Sequence, residues 1–417
     1  MTQPVLRFRP LRPAVATDGA SNLDLLLTIT TPEQPAGQIQ PRPPLNLALV
    51  IDRSGSMAGR KLSYARKAAR FLVGELTARD RLAIVTFDDE VSVLVPSTPV
   101  ADPQLFLAAI NTIHRGSSTA LFDGWRAGAI QVAEQLDPTQ LNRVLLLSDG
   151  QANAGLTDQA KIAEKVAGLT KLGVSTSAFG LGDGFDEDLM GAIASAGDGT
   201  LAFIENPAQL ADLYASELQG LAATAGRRVS LVVRAENCAE LVDCLNDFPR
   251  NGDGSWQLPN LRAGQELQVG LKLQLPAWQP NQAICRAELG WDGKGAGVRQ
   301  RLIEPLQLPV IAASEWSGLE RDAAVAEQLA VMAANRARRR AIEQLDLGNI
   351  EDAEFSLDSA STLFAELPQS NLIRHELRLL DEKKLLLRMD RNISRKRLSR
   401  EYLRSSTNVW EENDDKQ

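Results

Sequence analysis

The sequence predicts a doubly wound α/β domain inserted in an antiparallel β-sandwich and followed by a C-terminal α-helical bundle or hairpin. Three observations carry this reading. From 45 to 221, short apolar runs alternate with segments of helical period, the pattern of a mostly parallel sheet covered on both faces. From 226 to 312, alternating and β-branched runs are separated by turns rich in Gly, Asn and Pro. In the region 315–404, Ala and Leu recur at three- and four-residue spacing from Ala323 to Leu345.

In chain order, residues 1–44 contribute N-terminal β-strands to the sandwich. Val5 to Phe8 alternates, and Leu23 to Thr31 mixes Leu with β-branched residues; Thr31 to Pro44 is a linker rich in Pro, Gly and Gln. The α/β domain occupies 45–221. Its predicted strands are 45–51, 81–87, 91–95, 143–148, 174–180 and 200–204. Its predicted helices are 60–77, 103–113, 120–136, 158–172, 186–195 and 207–221. The turn Asp88-Asp89-Glu90 is short enough for a hairpin, so 91–95 is expected to be an antiparallel edge strand. The remaining links are helical crossovers. The sandwich, 226–312, has strands expected at 229–235, 267–275, 283–291 and 299–311. The helical region, 315–404, has helices from Ala323 to Leu345, from Glu351 to Leu367 and from Leu372 onward, with Gly348 as a stop and Pro368 as a break. Residues 405–417 are expected to be a disordered tail.

The chemistry is concentrated where the first parallel strand ends. Leu45 to Ile51 is a continuous apolar run, and a periodic helix begins by Lys61. Between them lies Asp52-Arg53-Ser54-Gly55-Ser56-Met57. Strand, oxygen-rich turn and helix in that order is where a doubly wound sheet places a ligand. One carboxylate and two hydroxyls at alternate positions are hard donors, suited to Mg²⁺ and poorly suited to Zn²⁺ or Cu²⁺. Three donors do not fill an octahedron, so others must come from neighbouring strand ends. Thr119, after Gly116-Ser117-Ser118, supplies a third hydroxyl. Asp149, in Ser148-Asp149-Gly150 at the end of the buried run Val144 to Leu147, supplies a second carboxylate.

Asp52-x-Ser54-x-Ser56, then Thr119, then Asp149 before a glycine, resembles the metal-ion-dependent adhesion site (MIDAS) of von Willebrand factor type A (VWA) domains, of the bacterial cytoplasmic type. The resemblance covers roughly 43–221. It implies a Rossmann-like VWA fold for the α/β domain. It also implies that Ser54, Ser56 and Thr119 bind the ion directly while Asp52 and Asp149 act through water or the serine hydroxyls. Neutral donors in the inner shell leave the cation under-neutralised and attractive to an incoming carboxylate. The expected ion is Mg²⁺, with Mn²⁺ or Ca²⁺ as alternatives the sequence does not separate. An A domain inserted in a β domain also resembles the arrangement in trypsin-inhibitor heavy chains and coat-complex proteins.

Each residue has a plainer reading. Ser54 and Ser56 could be turn or N-cap residues, Asp149 a strand-end turn residue, and Asp123 a charge at a helix N-terminus. An enzymatic reading is weak, since the chain has no G-x-x-x-x-G-K-[ST] phosphate cradle. Gly180 to Gly184 has the wrong spacing for a dinucleotide loop. Asp183, Asp186, Glu187 and Asp188 do not match an EF-hand and read as helix-start charges. His114 and His375 are far apart, and Cys238, Cys244 and Cys285 form no metal knuckle; surface and core positions explain them.

Bulk composition narrows the class. The 417 residues suit two or three domains, and 44% hydrophobic with 24% charged is ordinary for a globular chain. A net charge of -8 argues against a general nucleic-acid coat. Three cysteines without a disulfide framework fit a reducing compartment. The N-terminus lacks a basic and apolar leader pattern, and no apolar run approaches the ~20 residues of a membrane helix. The expectation is a cytoplasmic protein without membrane contact. From Asn371 to Arg404 eleven Lys or Arg face five Asp or Glu, and Arg336, Arg338, Arg339 and Arg340 form a second basic cluster. Solvated helix faces explain both better than nucleic acid, because no aromatic stacking platform accompanies them.

The functional expectation is a non-enzymatic module that binds an acidic residue of a protein partner through the MIDAS cation. The resemblance implies AAA+ ATPases or assembly and stress machinery as partners, and no more than that. The alternative is a structural, self-assembling scaffold in which the metal only braces the loops.

Overall fold

The chain begins with strands β1 (Val5–Pro10), β2 (Val15–Ala16) and β3 (Ser21–Thr30). The computed structural model describes residues 3–18, 21–33, 43–149, 152–181, 185–204, 209–293, 299–365, 367–389 and 398. The expected tail 405–417, most of the linker 31–44, residues 182–184 and the start of the helix expected over 207–221 lie outside them. Two compact units emerge: Met1–Pro35, Val229–Trp291 and Arg299–Gln417 in one, Ala36–Arg228 and Asp292–Val298 in the other.

The second unit holds β4 (Leu45–Asp52), α1 (Arg60–Glu75), β5 (Arg81–Phe87), β6 (Val91–Pro99), α2 (Pro103–Asn111), α3 (Leu121–Ala133), β7 (Leu141–Ser148), α4 (Gln159–Lys171), β8 (Val174–Leu181), α5 (Glu187–Ala196), β9 (Leu201–Ile204) and α6 (Leu210–Ala223). Its six-stranded sheet has the order β6-β5-β4-β7-β8-β9. All pairings are parallel except β5 with the edge strand β6, which runs antiparallel as the short Asp88–Glu90 turn requires. Strand β4 is buried along its whole length. Leu45, Leu47, Leu49 and Ile51 pack with Leu62, Ala65 and Leu72 of α1. Ala48 and Val50 pack with Leu121 and Trp125 of α3 and Ile193 of α5. Two apolar faces are why this strand reads as an unbroken hydrophobic run rather than an alternating one. The order change at β4, with β5 on one side and β7 on the other, makes its C-terminal end the switch point of the sheet.

The chain continues, in the first unit from Val229 on, with β10 (Thr224–Ala235), β11 (Glu240–Cys244), β12 (Trp256–Gln257), β13 (Leu261–Arg262), β14 (Glu266–Leu275), β15 (Cys285–Gly293, its last two residues in the second unit), β16 (Arg299–Leu306) and β17 (Val310–Ile311). One antiparallel sheet has the order β1-β3-β14-β11, in which β3 and β14 pair over ten residues from Thr30↔Glu266 to Ser21↔Leu275. The other has the order β12-β10-β15-β16, with β13 beside β10. Leu25, Leu27 and Ile29 share a core with Val229, Leu231, Ala287 and Leu289 of the other sheet. The single strand expected over 299–311 is two. β16 ends at Leu306, and β17 pairs in parallel with β2 instead. Pro309 sits at the break, where a residue without an N–H cannot continue the ladder.

Helices α7 (Ala313–Ser317), α8 (Ala323–Asp346), α9 (Ile350–Ala365) and α10 (Asn371–Met389) follow. Asp322 caps α8, its carboxylate accepting from the backbone N–H groups of Ala324 and Val325 at 3.0 and 3.2 Å. Gly348, with φ +87°, closes the same helix. Ala330, Ala334, Ala341, Ala353 and Ala360 line the packed faces of α8 and α9. Leu26 of β3 packs against Val325, Leu329 and Met332 of α8. That second covering layer is why β3 is Leu-rich on both faces.

The Arg336–Arg340 cluster is not a solvated face throughout. Arg338 is fully buried and ion-paired with Glu376 of α10. Arg336 reaches Asp243 at 2.5 Å and Asp247 at 2.8 Å. Arg339 and Arg340 are exposed, so the solvated face is confined to that end of the cluster.

Candidate metal centre

Asp52 is the last residue of β4 and is completely buried. Its carboxylate is tied on both oxygens: the backbone N–H of Ser54 donates to Oδ1 at 2.8 Å and Ser148 Oγ donates to Oδ2 at 2.5 Å. Ser148 ends β7, the strand beside β4, so the two adjacent strand ends are stitched together at this acid. Burial pushes the Asp52 carboxyl above its ordinary value, against those hydrogen bonds, and the neighbouring Asp149 charge adds to the rise.

Beyond Asp52 the chain makes a single 3-10 turn, Gly55–Met57, preceded by Ser54. Ser54 stands at the capping position, yet its side chain caps no backbone N–H. Its hydroxyl lies 3.1 Å from that of Ser56, and Ser56 Oγ donates to Asp149 Oδ1 at 2.8 Å. Asp149 Oδ2 is ion-paired with Lys61 of α1. Gly59, at φ +76°, lets the chain turn into that helix in a conformation other residues rarely adopt. A continuous polar chain therefore runs Ser54–Ser56–Asp149–Lys61, with Ser54, Thr119 and Asp149 at most 3% exposed.

Thr119 is held differently. Its backbone N–H donates to Asn153 Oδ1 at 2.9 Å, and its carbonyl accepts from the N–H groups of Asn153 and Ala154 at 3.2 and 3.3 Å. Its loop is locked to the Ser54 turn by two backbone bonds, Gly116 N–H to Arg53 O at 2.6 Å and Gly55 N–H to Ser117 O at 2.9 Å. Arg53 pairs with the buried Asp88 at 3.0 Å. Asp88 fills the space beside Gly116 so closely that a Cβ there would lie 1.5 Å from Asp88 Oδ2.

Of the five residues expected from sequence, four are joined by hydrogen bonds at the ends of β4 and β7, and Thr119 sits on the loop bonded to the same turn. Lys61, Arg53, Asp88, Ser148 and Asn153 were not anticipated. Ser148 carried a signal, a hydroxyl as the last residue of a buried apolar strand; the others depend on loop packing. Asp123 lies in the first turn of α3 and Asp186 caps α5, accepting from the N–H of Leu189 at 3.0 Å, as helix-start charges do. His114, His375 and Cys238 are exposed; Cys244 and Cys285 are buried, and all three thiols are free.

The donor set fits a hard divalent cation. Two carboxylates and three hydroxyls are all oxygen, and one of the carboxylates is desolvated beside the other. Among the described residues, no three or more His, Cys, Asp or Glu side chains are grouped to hold a metal ion. A cation here would draw on the hydroxyls beside the two carboxylates. Among the described residues, no helix is long and apolar enough to cross a membrane.

Comparison with known proteins agrees with the fold. Residues 46–216 match the family model of the von Willebrand factor type A domain. The chain is 27% identical over 333 residues to the uncharacterised protein sll0103 of Synechocystis, covering 77% of this chain and 78% of that one. It is 31% identical over 153 residues to the inter-alpha-trypsin inhibitor heavy chain H4 of Sus scrofa, but there it spans only 16% of the relative. The solved structure of a von Willebrand factor type A protein from Catenulispora acidiphila superposes with a TM-score of 0.68 at 17% identity, covering 97% of this chain and 96% of that one. On this evidence of fold and family, residues 46–216 of the chain are a von Willebrand factor type A domain.

Proposed function

We propose that this chain is a metal-dependent protein-interaction module. Asp52, Ser54, Ser56, Thr119 and Asp149 would hold a divalent cation, Mg²⁺ by preference, that takes the carboxylate of an Asp or Glu from a partner protein. VWA domains generally mediate protein–protein interactions, and divalent-ion sites of this kind serve that binding. The observation that carries the reading is the Ser54 hydroxyl. A turn or capping serine would bond the backbone, whereas this one faces Ser56 and so joins a line of oxygens leading to Asp149. When bound, the ion supplies concentrated positive charge that a partner carboxylate can complete.

A purely bracing role for the ion is the weaker reading. The two loops are already tied by Gly116, Gly55 and the Arg53–Asp88 pair, so the fold has its own brace. We read the two antiparallel sheets of the other unit, which share a core, as the sandwich that would carry the VWA domain as an insertion. We read the chain as non-enzymatic, and as cytoplasmic, the latter supported by its free thiols. AAA+ ATPases and assembly or stress machinery are the partner classes we would examine first.

The test is capture from native lysate on immobilised full-length chain, in Mg²⁺ and in EDTA, with Asp149→Ala beside it. The reading expects a protein retained in Mg²⁺, released by EDTA and not held by the variant. Retention that ignores both changes contradicts it.

A further inference from the structure

The Asp149 carboxylate divides its oxygens between two kinds of donor. Ser56 Oγ donates to Oδ1 at 2.8 Å, while the Lys61 ammonium is paired with Oδ2. The Asp149 side chain is closed to solvent, but that of Lys61 is 33% exposed. The lysine therefore reaches inward from water to a buried acid. Its ammonium is a compact unit charge on a flexible four-carbon stem. It lies on one of only two carboxylates in the candidate centre.

From this geometry we propose that Lys61 is a tethered competitor of the divalent cation. This rests on the metal-centre reading and names what sets the occupancy of that centre. In the ion-free protein the Lys61 ammonium offsets the charge of Asp149, which otherwise faces Asp52 in a desolvated site. When an ion of charge two loads, the two carboxylates are already balanced, and a third positive charge at Asp149 becomes repulsive. Loading therefore requires the ammonium to swing back toward solvent, and its partial exposure gives it the path. Apparent ion affinity falls by the fraction of molecules in which the ammonium has let go. The consequence is a centre that fills only at high ion concentration, and a docking surface whose availability follows the free divalent ion.

The experiment is a Mn²⁺ titration of the metal-stripped full chain, with free Mn²⁺ read by its paramagnetic resonance signal. Wild type is compared with Lys61→Met, which keeps the stem and loses the charge, and with Lys61→Arg, which keeps the charge. Lys61→Met is expected to bind Mn²⁺ about tenfold more tightly than wild type, the factor for an ammonium engaged in roughly nine molecules of ten. Lys61→Arg is expected to stay within about twofold of wild type, since it retains the competing charge. Without ion, Lys61→Met should unfold at a lower temperature than wild type, and Mg²⁺ should raise its midpoint by more. If Lys61→Met does not fold without ion, Lys61→Gln provides the same comparison. Equal or weaker Mn²⁺ binding by the folded uncharged variant overturns the competitor role and leaves the metal centre standing. Failure of all the proteins, wild type included, to bind Mn²⁺ overturns the metal centre and the competitor role together.

Discussion

At the scale of the residue, the site is built by crowding. Gly116 sits against Asp88 with no room for a Cβ, and the same Asp88 holds Arg53 beside the Ser54 turn. Gly116→Ala is therefore expected to cost about 1–3 kcal/mol, as overpacking does, and to move the Thr119 loop off the turn. Chemical denaturation gives the first quantity, and a weakened Mg²⁺ response gives the second; an alanine variant as stable as wild type would contradict the packing. The thiols offer an independent check. Burial pushes Cys244 up to about 11 and Cys285 up to about 12, whereas Cys238 is exposed. The thiolate is the reactive form. Ellman's reagent at neutral pH should thus label Cys238 quickly in the native chain and all three thiols only in denaturant. Sequence could nominate the five proposed donors because Asp52, Ser54, Ser56 and Asp149 are oxygen-bearing residues at or just beyond predicted strand ends, and Thr119 is one just before a predicted helix. Lys61 and Asp88 were not legible in this way. Their roles depend on where a helix start and a hairpin come to rest, and spacing along the chain does not encode that.

At the scale of the element, strand ends and helices are joined by buried ion pairs. Glu217 of α6 is paired with Arg143 of β7 and accepts from Ser177 Oγ of β8 at 2.6 Å and from Thr200 Oγ1 at 2.8 Å. Burial opposes ionisation of Glu217, but the Arg143 charge and the two hydroxyls outweigh it and hold the carboxyl below its ordinary value. A depressed carboxylate contributes stability that is fully present above its unfolded value. That contribution is lost as pH falls through the lowered one. Glu217→Gln should cost about 3–5 kcal/mol near neutral pH, because it leaves Arg143 buried without its partner charge. The difference from wild type should shrink toward acid, and a difference independent of pH would contradict the assignment. Apart from the five-residue α7, the helices and parallel strands were legible to within a few residues, since burial imposes continuous apolar runs on the strands and amphipathic periods on the helices. The two-residue strands β2, β12 and β13 were not, because two residues carry no period, and the short edge strand β11 was missed as well.

At the scale of the whole molecule, charge is organised internally as well as on the surface. The basic run Arg336 to Arg340 looks like a patch in sequence, yet Arg338 is fully buried against Glu376 and Arg336 answers two aspartates near β11. Sequence cannot separate these cases, because an arginine facing an acid 38 residues away reads the same as one facing water. Arg338→Met alone should destabilise the chain by about 3–5 kcal/mol by stranding Glu376, whereas Arg338→Met with Glu376→Leu should recover most of it. Thermal unfolding of the single and double variants measures this, and equal losses in both would contradict a coupled pair. The candidate metal centre belongs to the same scale, since its proposed donors come from three separated stretches of chain that the fold brings to one edge of the sheet. Equilibrium dialysis of metal-stripped full-length chain against Mn²⁺ tests that claim most directly. The account predicts one ion bound per chain and none for Ser54→Ala with Ser56→Ala; no ion on the wild type, or undiminished binding by the double variant, would contradict it.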